Sequence, residues 1–471
     1  MSRKPLLFIF LPLTALVLSA CSAPATSNPT ATSTASQSAP ATKLPTATIL
    51  PSPTPSPTPV PVIEDSFAVG FSADGSLLVF NSSVDNLVPE DQNHVMDPFV
   101  YHTADGSVER IVAPYADPAL INTSTLASNL SADGRTLLYG EHSNSMEPVD
   151  QHFHFAFIRD LATGRDERLD FTAWEKQLSA PILNSVLSPD GQTLALDVVQ
   201  SDHWAIYLLD RASGELTRVD KPIDDQRVKG DSLDPAFSAN GAALAFASSA
   251  DNLVNGDEPC TGSTFACAKI FVYEMATRNL EKIPANISFA MASPYPTIGL
   301  SENARWVAWT ELESPSTDLQ PVVRIYDRER SETRTVCLEA GPLCTGHSAS
   351  ISADGVWLAY GIIPPGKPAQ VYLLNLALGT QTLVSADAQG NPGDNSSGVI
   401  SLQQEGFSSD ITLSGDGRYV AFSSQAANLL PAGANKRQCF DPIMIGAYAC
   451  YDLFIYDRLN GTLSWVSRQS E

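Results

Sequence analysis

A short turn motif occurs seven times along this chain. Each copy places an apolar residue before Ser-x-Asp-Gly, or a close variant of it, and an apolar run after it. The copies are Phe71–Gly75, Leu130–Gly134, Leu187–Gly191, Phe237–Gly241, Leu300–Ala304, Ile351–Gly355 and Leu413–Gly417. A repeat of roughly fifty to sixty residues indicates like units, each of which buries its apolar face against its neighbours. The sequence therefore predicts a repeat array rather than several unrelated domains.

The sequence around the third copy shows what one unit contains. An apolar run precedes the turn, and three β-rich runs follow it. These four runs are Ile182–Leu187, Thr193–Val199, Trp204–Asp210 and Glu215–Val219. Asp-Gly supplies the positive φ of a tight hairpin, so the runs form an antiparallel meander of four strands. Seven such units arranged radially predict an all-β, seven-bladed β-propeller.

The two ends of the repeat region predict how the ring closes. Ser66–Phe71 has the composition of a first strand, and Leu463–Ser467 that of a fourth. Whole blades would then meet at the closure without exchanging a strand.

The repeat also resembles a known family. Ser188-Pro189-Asp190-Gly191 before Leu-Ala, then Ile-Tyr-x-x-Asp and a Gly turn, is similar to the WD40-like (PD40) repeat of the TolB propellers. The resemblance extends from Ile63 to the C-terminus and implies the propeller fold. TolB itself typically has six blades and an α/β domain before them. This chain has seven copies and no evident α/β domain, so it departs from TolB in ways that argue against a Tol-Pal role, and the resemblance is evidence for the fold rather than for a function.

The N-terminal region predicts export. Residues 1–20 carry Arg3 and Lys4 before an apolar stretch and are typical of a signal peptide. Leu18-Ser19-Ala20-Cys21 resembles the bacterial lipobox, which implies lipidation of Cys21. An ordinary signal peptide and an uncleaved anchor are the alternatives. Residues 21–62 are rich in Ser, Thr, Ala and Pro and predict a disordered tether, which leaves 63–471 for the propeller.

The charge of the chain narrows the classes of partner. The formal net charge is −24 at pH 7, with 28 Lys and Arg against 52 Asp and Glu. Binding to nucleic acid or to an anionic lipid surface requires clustered basic residues, so both are excluded as partners. We expect the membrane to be contacted through the lipid anchor alone, and the protein to be a monomer.

Seven cysteines divide into Cys21 and three local pairs. The pairs are Cys260 with Cys267, Cys337 with Cys344, and Cys439 with Cys450. In an exported chain, local pairs predict disulfides. Zinc is the rival interpretation, but zinc sites favour shorter Cys spacing and nearby His residues.

Units one, four and seven carry long loops between the second and third strands. The loop of unit one contains Asp91, Asn93 and Asp97, an oxygen-ligand spacing similar to that of calcium loops. The usual Gly and terminal Glu are missing. We therefore hold two hypotheses for this loop: a Ca²⁺ site, or a clamp without an ion. No other cofactor is predicted.

Polar residues on the first strands are candidates for ligand binding, because first strands lie nearest the axis of a propeller. Five of them stand three residues before the apolar residue that precedes the turn. They are Asn184, Asp234, Thr297, Ser348 and Asp410. Together they predict an acidic channel mouth suited to a cation or a basic peptide. Routine hydrogen bonding to the blade turns is the alternative.

No catalytic residues are predicted. The nearest match to a nucleophile elbow, Gly346-His347-Ser348-Ala349-Ser350, lacks the final Gly and lies on a predicted strand. The sequence therefore favours a cell-surface lipoprotein whose propeller binds or scaffolds an envelope or extracellular protein, or a glycan. The alternatives are a glycan-active hydrolase or lyase and a structural envelope component. A carboxylate pair beside an Arg in the channel would favour the enzyme, whereas a broad mixed patch on one rim would favour binding.

Overall fold

A computed structural model describes residues 64–469, which lie within one compact unit, Pro59–Glu471. The gaps in this description are 90, 92, 94, 115–122, 144–154, 202, 224–227, 258–267, 285–296, 314–319, 339–345, 399–410 and 442–445. Cys21, Cys260, Cys267, Cys344 and Asp410 lie outside the described residues. No helix in the described part of the chain is long and apolar enough to cross a membrane.

Seven antiparallel sheets of four strands follow one another along the chain, and we number them as blades 1 to 7. Blade 1 contains β1 (Ser66–Phe71), β2 (Leu77–Ser82), β3 (Asp97–His102) and β4 (Val108–Arg110). Blade 2 contains β5 (Thr123–Leu130), β6 (Thr136–Ser143), β7 (Phe155–Asp160) and β8 (Arg165–Asp170). A short helix, α1 (Thr172–Leu178), leads into blade 3, which contains β9 (Ile182–Leu187), β10 (Thr193–Val199), β11 (Trp204–Asp210) and β12 (Leu216–Arg218).

The remaining blades repeat this order. Blade 4 contains β13 (Ser232–Phe237), β14 (Ala243–Ser248), β15 (Lys269–Glu274) and β16 (Leu280–Lys282). Blade 5 contains β17 (Ile298–Leu300), β18 (Trp306–Glu313), β19 (Gln320–Asp327) and β20 (Glu332–Val336). Blade 6 contains β21 (Gly346–Ile351), β22 (Trp357–Ile362), β23 (Gln370–Asn375) and β24 (Gln381–Leu383). Blade 7 contains β25 (Ile411–Leu413), β26 (Tyr419–Ser424), β29 (Asp452–Asp457) and β30 (Thr462–Trp465), with the hairpin of β27 (Gln438–Asp441) and β28 (Gly446–Ala449) inserted in it.

The structure confirms the seven-bladed β-propeller and the closure by whole blades. The first strand, Ser66–Phe71, has the predicted bounds, and the last, Thr462–Trp465, differs from the predicted span by one residue at its start and two at its end. The short helix α1 was not predicted.

The cores lie between blades, because each sheet is apolar on both faces in its middle strands. Cross-strand aromatic pairs join the second and third strands of five blades: Phe80 with Phe99, Tyr139 with Phe157, Phe246 with Phe271, Tyr360 with Tyr372, and Phe422 with Phe454. The cluster at the closure mixes Leu78 and Phe80 of blade 1 with Ala421 and Leu453 of blade 7. Burial of the apolar faces thus holds each blade to its neighbours.

The repeated Ser-x-Asp-Gly turn is a joint between blades. In blade 7, Gly417 has φ 68°, and a Cβ placed on it would lie 2.5 Å from Cδ1 of Trp357 in blade 6. A Cβ on Gly355 of blade 6 would meet Cδ1 of Trp306 in blade 5 at the same distance. Glycine is needed here both for the left-handed backbone and for the close approach of the neighbouring side chain.

Backbone hydrogen bonds also connect the turns to one another. Ala73 N–H donates to the Ala132 carbonyl at 2.7 Å, and Ala132 N–H donates to the Pro189 carbonyl at 2.9 Å. The same bond joins blades 5 to 6 and 6 to 7, and between blades 7 and 1 the N–H of Asp416 donates to the Ala73 carbonyl at 3.0 Å. The repeated Ser-x-Asp-Gly turn therefore links neighbouring blades as well as forming the hairpin.

The closure between blades 7 and 1 is held by a buried carboxylate and a disulfide. Asp65, just before β1, accepts hydrogen bonds from the Tyr448 hydroxyl and the Tyr451 N–H, both at 2.7 Å. Burial raises the pKa of Asp65 to about 6. The predicted disulfide Cys439–Cys450 is confirmed. Its Cys439 sulfur accepts a hydrogen bond from the Glu64 N–H at 3.0 Å. Cys337 is also disulfide-bonded, while its predicted partner lies outside the described residues.

Candidate functional site

The hairpin turns define two unlike faces of the propeller. The turns between first and second strands lie beside the turns between third and fourth strands, as shown by the bond from Thr103 N–H to the Ser76 carbonyl and from Arg458 N–H to the Arg418 carbonyl. We call this side the turn face. The long loops between second and third strands lie at the other ends of the strands, on what we call the loop face.

On the turn face, blades 5 to 7 carry aromatic residues capped by arginines. The second strands of these blades begin with Trp306, Trp357 and Tyr419, whereas those of blades 1 to 4 begin with Leu or smaller residues. Arg458 of blade 7 stacks over Trp357 of blade 6, with its guanidinium carbon 4.2 Å from the ring centroid. Arg418 lies 4.6 Å from the Tyr419 ring in the same way. Such cation–π contacts order the side chains.

Two exposed leucines lie in the same region. Leu378, in the turn after β23, is 75% exposed, and Leu459, in the turn after β29, is 63% exposed. Among the described residues, the other large apolar side chains with comparable exposure are Val112 and Ile223. Both of these follow a fourth strand and so lie toward the loop face. We define the turn-face patch as Trp306, Trp357, Leu378, Tyr419, Arg458 and Leu459.

A groove continues the turn-face patch across the closure into blade 1. Its volume is about 480 Å³, and its walls include Tyr101 and Asp74 of blade 1 and Tyr419 of blade 7. Arg418 lines it as well, held by Asp457 at 2.8 Å. The turn-face patch and this groove give one rim of the propeller a mixture of aromatic, apolar and charged side chains over four adjacent blades.

Two of the five predicted channel residues, Asn184 and Asp234, come together at the boundary between blades 3 and 4. Asn184 Nδ2 donates to Asp197 Oδ2 at 3.1 Å, and the backbone N–H of Asp234 also donates to the Asp197 carboxylate. Asp197 is 3% exposed, and its Oδ1 has no hydrogen-bond partner. Oδ2 of Asp234 is likewise buried without a partner.

Burial and mutual repulsion perturb both carboxyls. Burial raises the pKa of Asp197 to about 7, although the bonds from Asn184 and Asp234 oppose it. The pKa of Asp234 is raised well above its usual value, first by burial and then by the charge of Asp197. Asp234 also has a left-handed backbone, φ 58°, in a bulge where β13 loses its register with β14. Non-glycine residues adopt this conformation at a cost, which is often met at functional positions.

The other predicted channel residues bond within their own blades. Thr297 lies 3.2 Å from Thr310 between the two hydroxyl oxygens. Ser348 Oγ is 3.3 Å from Nδ1 of His347, and burial lowers the pKa of His347 to about 4. These contacts are made to strand residues and not to the blade turns, so both the ligand-binding role of the set and its alternative stay predictions.

A positively charged side chain of the protein, Arg110 at the end of β4, lies at the predicted calcium site of blade 1. Arg110 lies between the predicted calcium ligands, 2.7 Å from Asp97 and 3.5 Å from Asp91, while Asn93 Nδ2 donates to Asp97 at 2.9 Å. This arrangement is a clamp made of protein charges. Calcium binding by Asp91, Asn93 and Asp97 stays a prediction.

Blades 4 and 7 build equivalent clamps at the first residue of the third strand. In blade 4 that residue is Lys269, whose Nζ lies 2.7 Å from Asp257. In blade 7 it is Asp452, 2.6 Å from Nζ of Lys436. In blade 1 it is Asp97. The first residue of the third strand is thus negative in blades 1 and 7 and positive in blade 4. In each blade a residue of opposite charge pairs with it.

Sequence reasoning missed Asp197 and all six residues of the turn-face patch, and Asp197, Arg458 and Leu459 show why. Asp197 stands inside the apolar run Leu194–Val199, and a lone carboxylate there was the available signal. Arg458 follows Asp457 at the end of a third strand, but its partner Trp357 belongs to another unit. Leu459 lies in an ordinary turn, and its exposure depends on the blade that flanks it.

Comparisons with known proteins find similarity in structure. No protein-family model and no curated protein sequence matches this chain. Oligogalacturonate lyase in complex with manganese aligns with 15% identity and a TM-score of 0.48 over 77% of this chain and 87% of that chain. TolB from Acinetobacter baumannii aligns with 14% identity and a TM-score of 0.37 over 82% of this chain and 78% of its own.

The β-propeller domain of the Trilobed protease from Pyrococcus furiosus, described as having an open velcro topology, aligns with 13% identity and a TM-score of 0.48 over 87% of this chain and 97% of its own. At these identities the similarity concerns the fold, and propellers of one fold carry unrelated activities. The function of this chain must therefore be argued from its own residues.

Proposed function

We propose that this protein is an exported lipoprotein, anchored through Cys21 and a tether of residues 22–62, whose PD40-type propeller is a binding module. Its contact surface is the turn-face patch, and its partner is an envelope or extracellular protein. The observation that carries the proposal is the concentration of two exposed leucines with half-buried arginine and aromatic side chains on one rim of blades 5 to 7.

The composition of the turn-face patch supports a protein partner. Aromatic residues and arginine are enriched where proteins bind one another, and the largest contributions to affinity come from such anchors. Trp357 and Tyr419 are already ordered by their stacked arginines, so little side-chain entropy is lost when a partner binds. The adjoining groove of about 480 Å³ offers a recess for a partner side chain.

The arrangement in the channel is less suited to the rival enzyme. A glycan hydrolase or lyase requires carboxylates that a substrate can reach. The channel has a carboxylate pair, but Asp197 is 3% exposed, and no Arg or Lys in the described part of the chain contributes to the pKa of either member. The pair therefore lacks the adjacent Arg that would favour catalysis.

The test is capture of a partner from envelope extract by the full chain, with matched surface variants. In the first variant, Leu378→Glu is combined with Leu459→Glu; in the control, Val112→Glu is combined with Ile223→Glu. The control adds the same charge at residues of similar exposure on the loop face. Both variants should retain the folding of wild type.

We expect one protein to be recovered at near-stoichiometric amounts by wild type and by the control, and at least tenfold less of it by the turn-face variant. Equal recovery by all three chains would contradict the proposal. Recovery of nothing above background, together with turnover of a glycan substrate that Asp234→Asn abolishes, would establish the enzyme instead.

A further inference from the structure

The boundary between blades 3 and 4 buries two carboxyl groups that no Lys or Arg of the described protein pairs with. Asp197 comes from β10, Asp234 from β13 of the next blade, and Asn184 from β9. Two carboxylate oxygens, Asp197 Oδ1 and Asp234 Oδ2, are buried and have no hydrogen-bond partner. An unpaired carboxylate in this position is unfavourable unless it is protonated or bound to a cation.

The clamps of blades 1, 4 and 7 show how the same fold treats other buried carboxylates. Asp97, Asp257 and Asp452 each have a Lys or Arg nitrogen within 3 Å. Asp197 and Asp234 differ from all three, because the groups that bond to Asp197 are an amide and a backbone N–H. Neither group supplies a formal positive charge.

We propose that Asp197 and Asp234 bind one hard divalent cation, Ca²⁺, Mg²⁺ or Mn²⁺, at the wall of the channel. The two free oxygens come from strands of different blades, so the ion would bridge the boundary between them. Carboxylate oxygens are the ligands that these ions prefer, and two carboxylates match the charge of one such ion. The proposal is independent of the turn-face patch, which lies on other blades.

A bridging ion fits the way blade 4 is joined to the ring. In the described structure, the turn-to-turn hydrogen bonds connect blades 5, 6, 7, 1, 2 and 3 in succession, and none reaches the turn of blade 4. Pro189, at the bonding position of blade 3, has no N–H to donate. The ion would supply a connection at a boundary that lacks this one.

The test measures the thermal unfolding midpoint of the full chain at pH 8 after bound metal has been removed with a chelator. The midpoint is compared without added metal and with CaCl₂, MgCl₂ or MnCl₂, from one equivalent up to millimolar concentration, at matched ionic strength. A ligand that binds only the folded state raises this midpoint. Calorimetric titration on the same samples gives the stoichiometry and affinity.

Three variants make the result specific. Asp197→Asn and Asp234→Asn each remove one proposed ligand, and Asp190→Asn is the control. Asp190 lies in the exposed turn of the same blade, and Asn already stands at the corresponding positions 240 and 303, where it bonds to the turn Ser in the same way. The control therefore removes an equal charge without disturbing the turn.

We expect one of the three cations to bind wild type and Asp190→Asn with a stoichiometry of one, and to bind each ligand variant at least tenfold more weakly. Affinity should fall at least tenfold between pH 8 and pH 5.5, because protons compete for the carboxylates. No binding of any of the three cations at pH 8 would overturn the proposal. Binding that is unchanged in both ligand variants would also overturn it and would assign the ion to another site, such as Asp91 and Asp97.

Discussion

Ala132 N–H donates to the carbonyl of Pro189 at 2.9 Å, and Pro189 has no N–H with which to continue the bond into blade 4. The series of turn-to-turn hydrogen bonds therefore stops at blade 3, and within the described residues the turn of blade 4 makes none. Blade 4 is held by its apolar faces and its loop clamp, while its turn is less constrained than the others.

This difference predicts uneven hydrogen exchange on the turn face. Amides that lack a stable hydrogen bond exchange through low-energy local opening. The amides of the turn Phe237–Gly241 should therefore exchange faster than those of Leu130–Gly134 and Ile351–Gly355. In the latter two turns the N–H of the Ala before the Asp donates to the next blade. Mass spectrometry of exchanged peptides measures this, and equal protection of the three turns would contradict it.

The joint between Trp357 and Gly417 predicts a large effect of a small substitution. Gly417→Ala places a methyl group against the Trp357 ring at 2.5 Å and also forces Ala into φ 68°. Gly461→Ala also places Ala in a left-handed backbone conformation, φ 64°, but its Cβ would have no neighbouring atom within 4 Å. We expect Gly417→Ala to lower the free energy of unfolding by about 1–3 kcal/mol more than Gly461→Ala, as overpacking does. Chemical denaturation of both variants measures the difference.

The packing of His347 against Gly361 gives a second matched pair. A Cβ on Gly361 would lie 2.4 Å from the His347 ring, whereas Gly140, at the corresponding position of blade 2, has nothing within 4 Å. Gly361→Ala should destabilise the protein by about 1–3 kcal/mol, because the buried ring must move. Gly140→Ala should be nearly neutral. If both variants unfold at the same denaturant concentration, the ring is not held as described.

Asp197 predicts a dependence of stability on pH. Because the pKa of its carboxyl is raised to about 7, the folded state retains a proton that the unfolded state loses near pH 3.8. The stability that this carboxyl contributes is complete below about pH 4 and is lost as the pH rises toward 7.

The variant Asp197→Asn does not ionise and should avoid this loss. In the presence of chelator we expect it to gain on the order of 2 kcal/mol over wild type between pH 5.5 and pH 8. His347, whose lowered pKa acts in the opposite sense, is common to both proteins and cancels in the difference. A constant difference at all pH values would show that Asp197 is ionised throughout.

The strands were predictable because their signals are local. Thr193–Val199 and Trp204–Asp210 have the predicted bounds, since alternating β-rich composition and an Asp-Gly turn determine where each begins and ends. The contacts of Trp357 with Arg458 were not predictable, because they depend on which faces of two blades meet. Asn184 and Asp234 were identified from their position in the repeat, but Asp197 was not. A lone carboxylate in an apolar strand was a signal, whereas its contact with the next blade depends on how the two blades pack.

The proposed binding function depends on the turn-face patch being the surface that contacts a partner. Site-specific photo-crosslinking in intact cells tests it most directly, with a photoreactive residue at position 378 or 459 and, for comparison, at 112 or 223. These positions have similar exposure on opposite faces. We expect a crosslink to one and the same protein from positions 378 and 459 and none from 112 or 223. Crosslinks from the loop-face positions alone, or from none of the four, would contradict it.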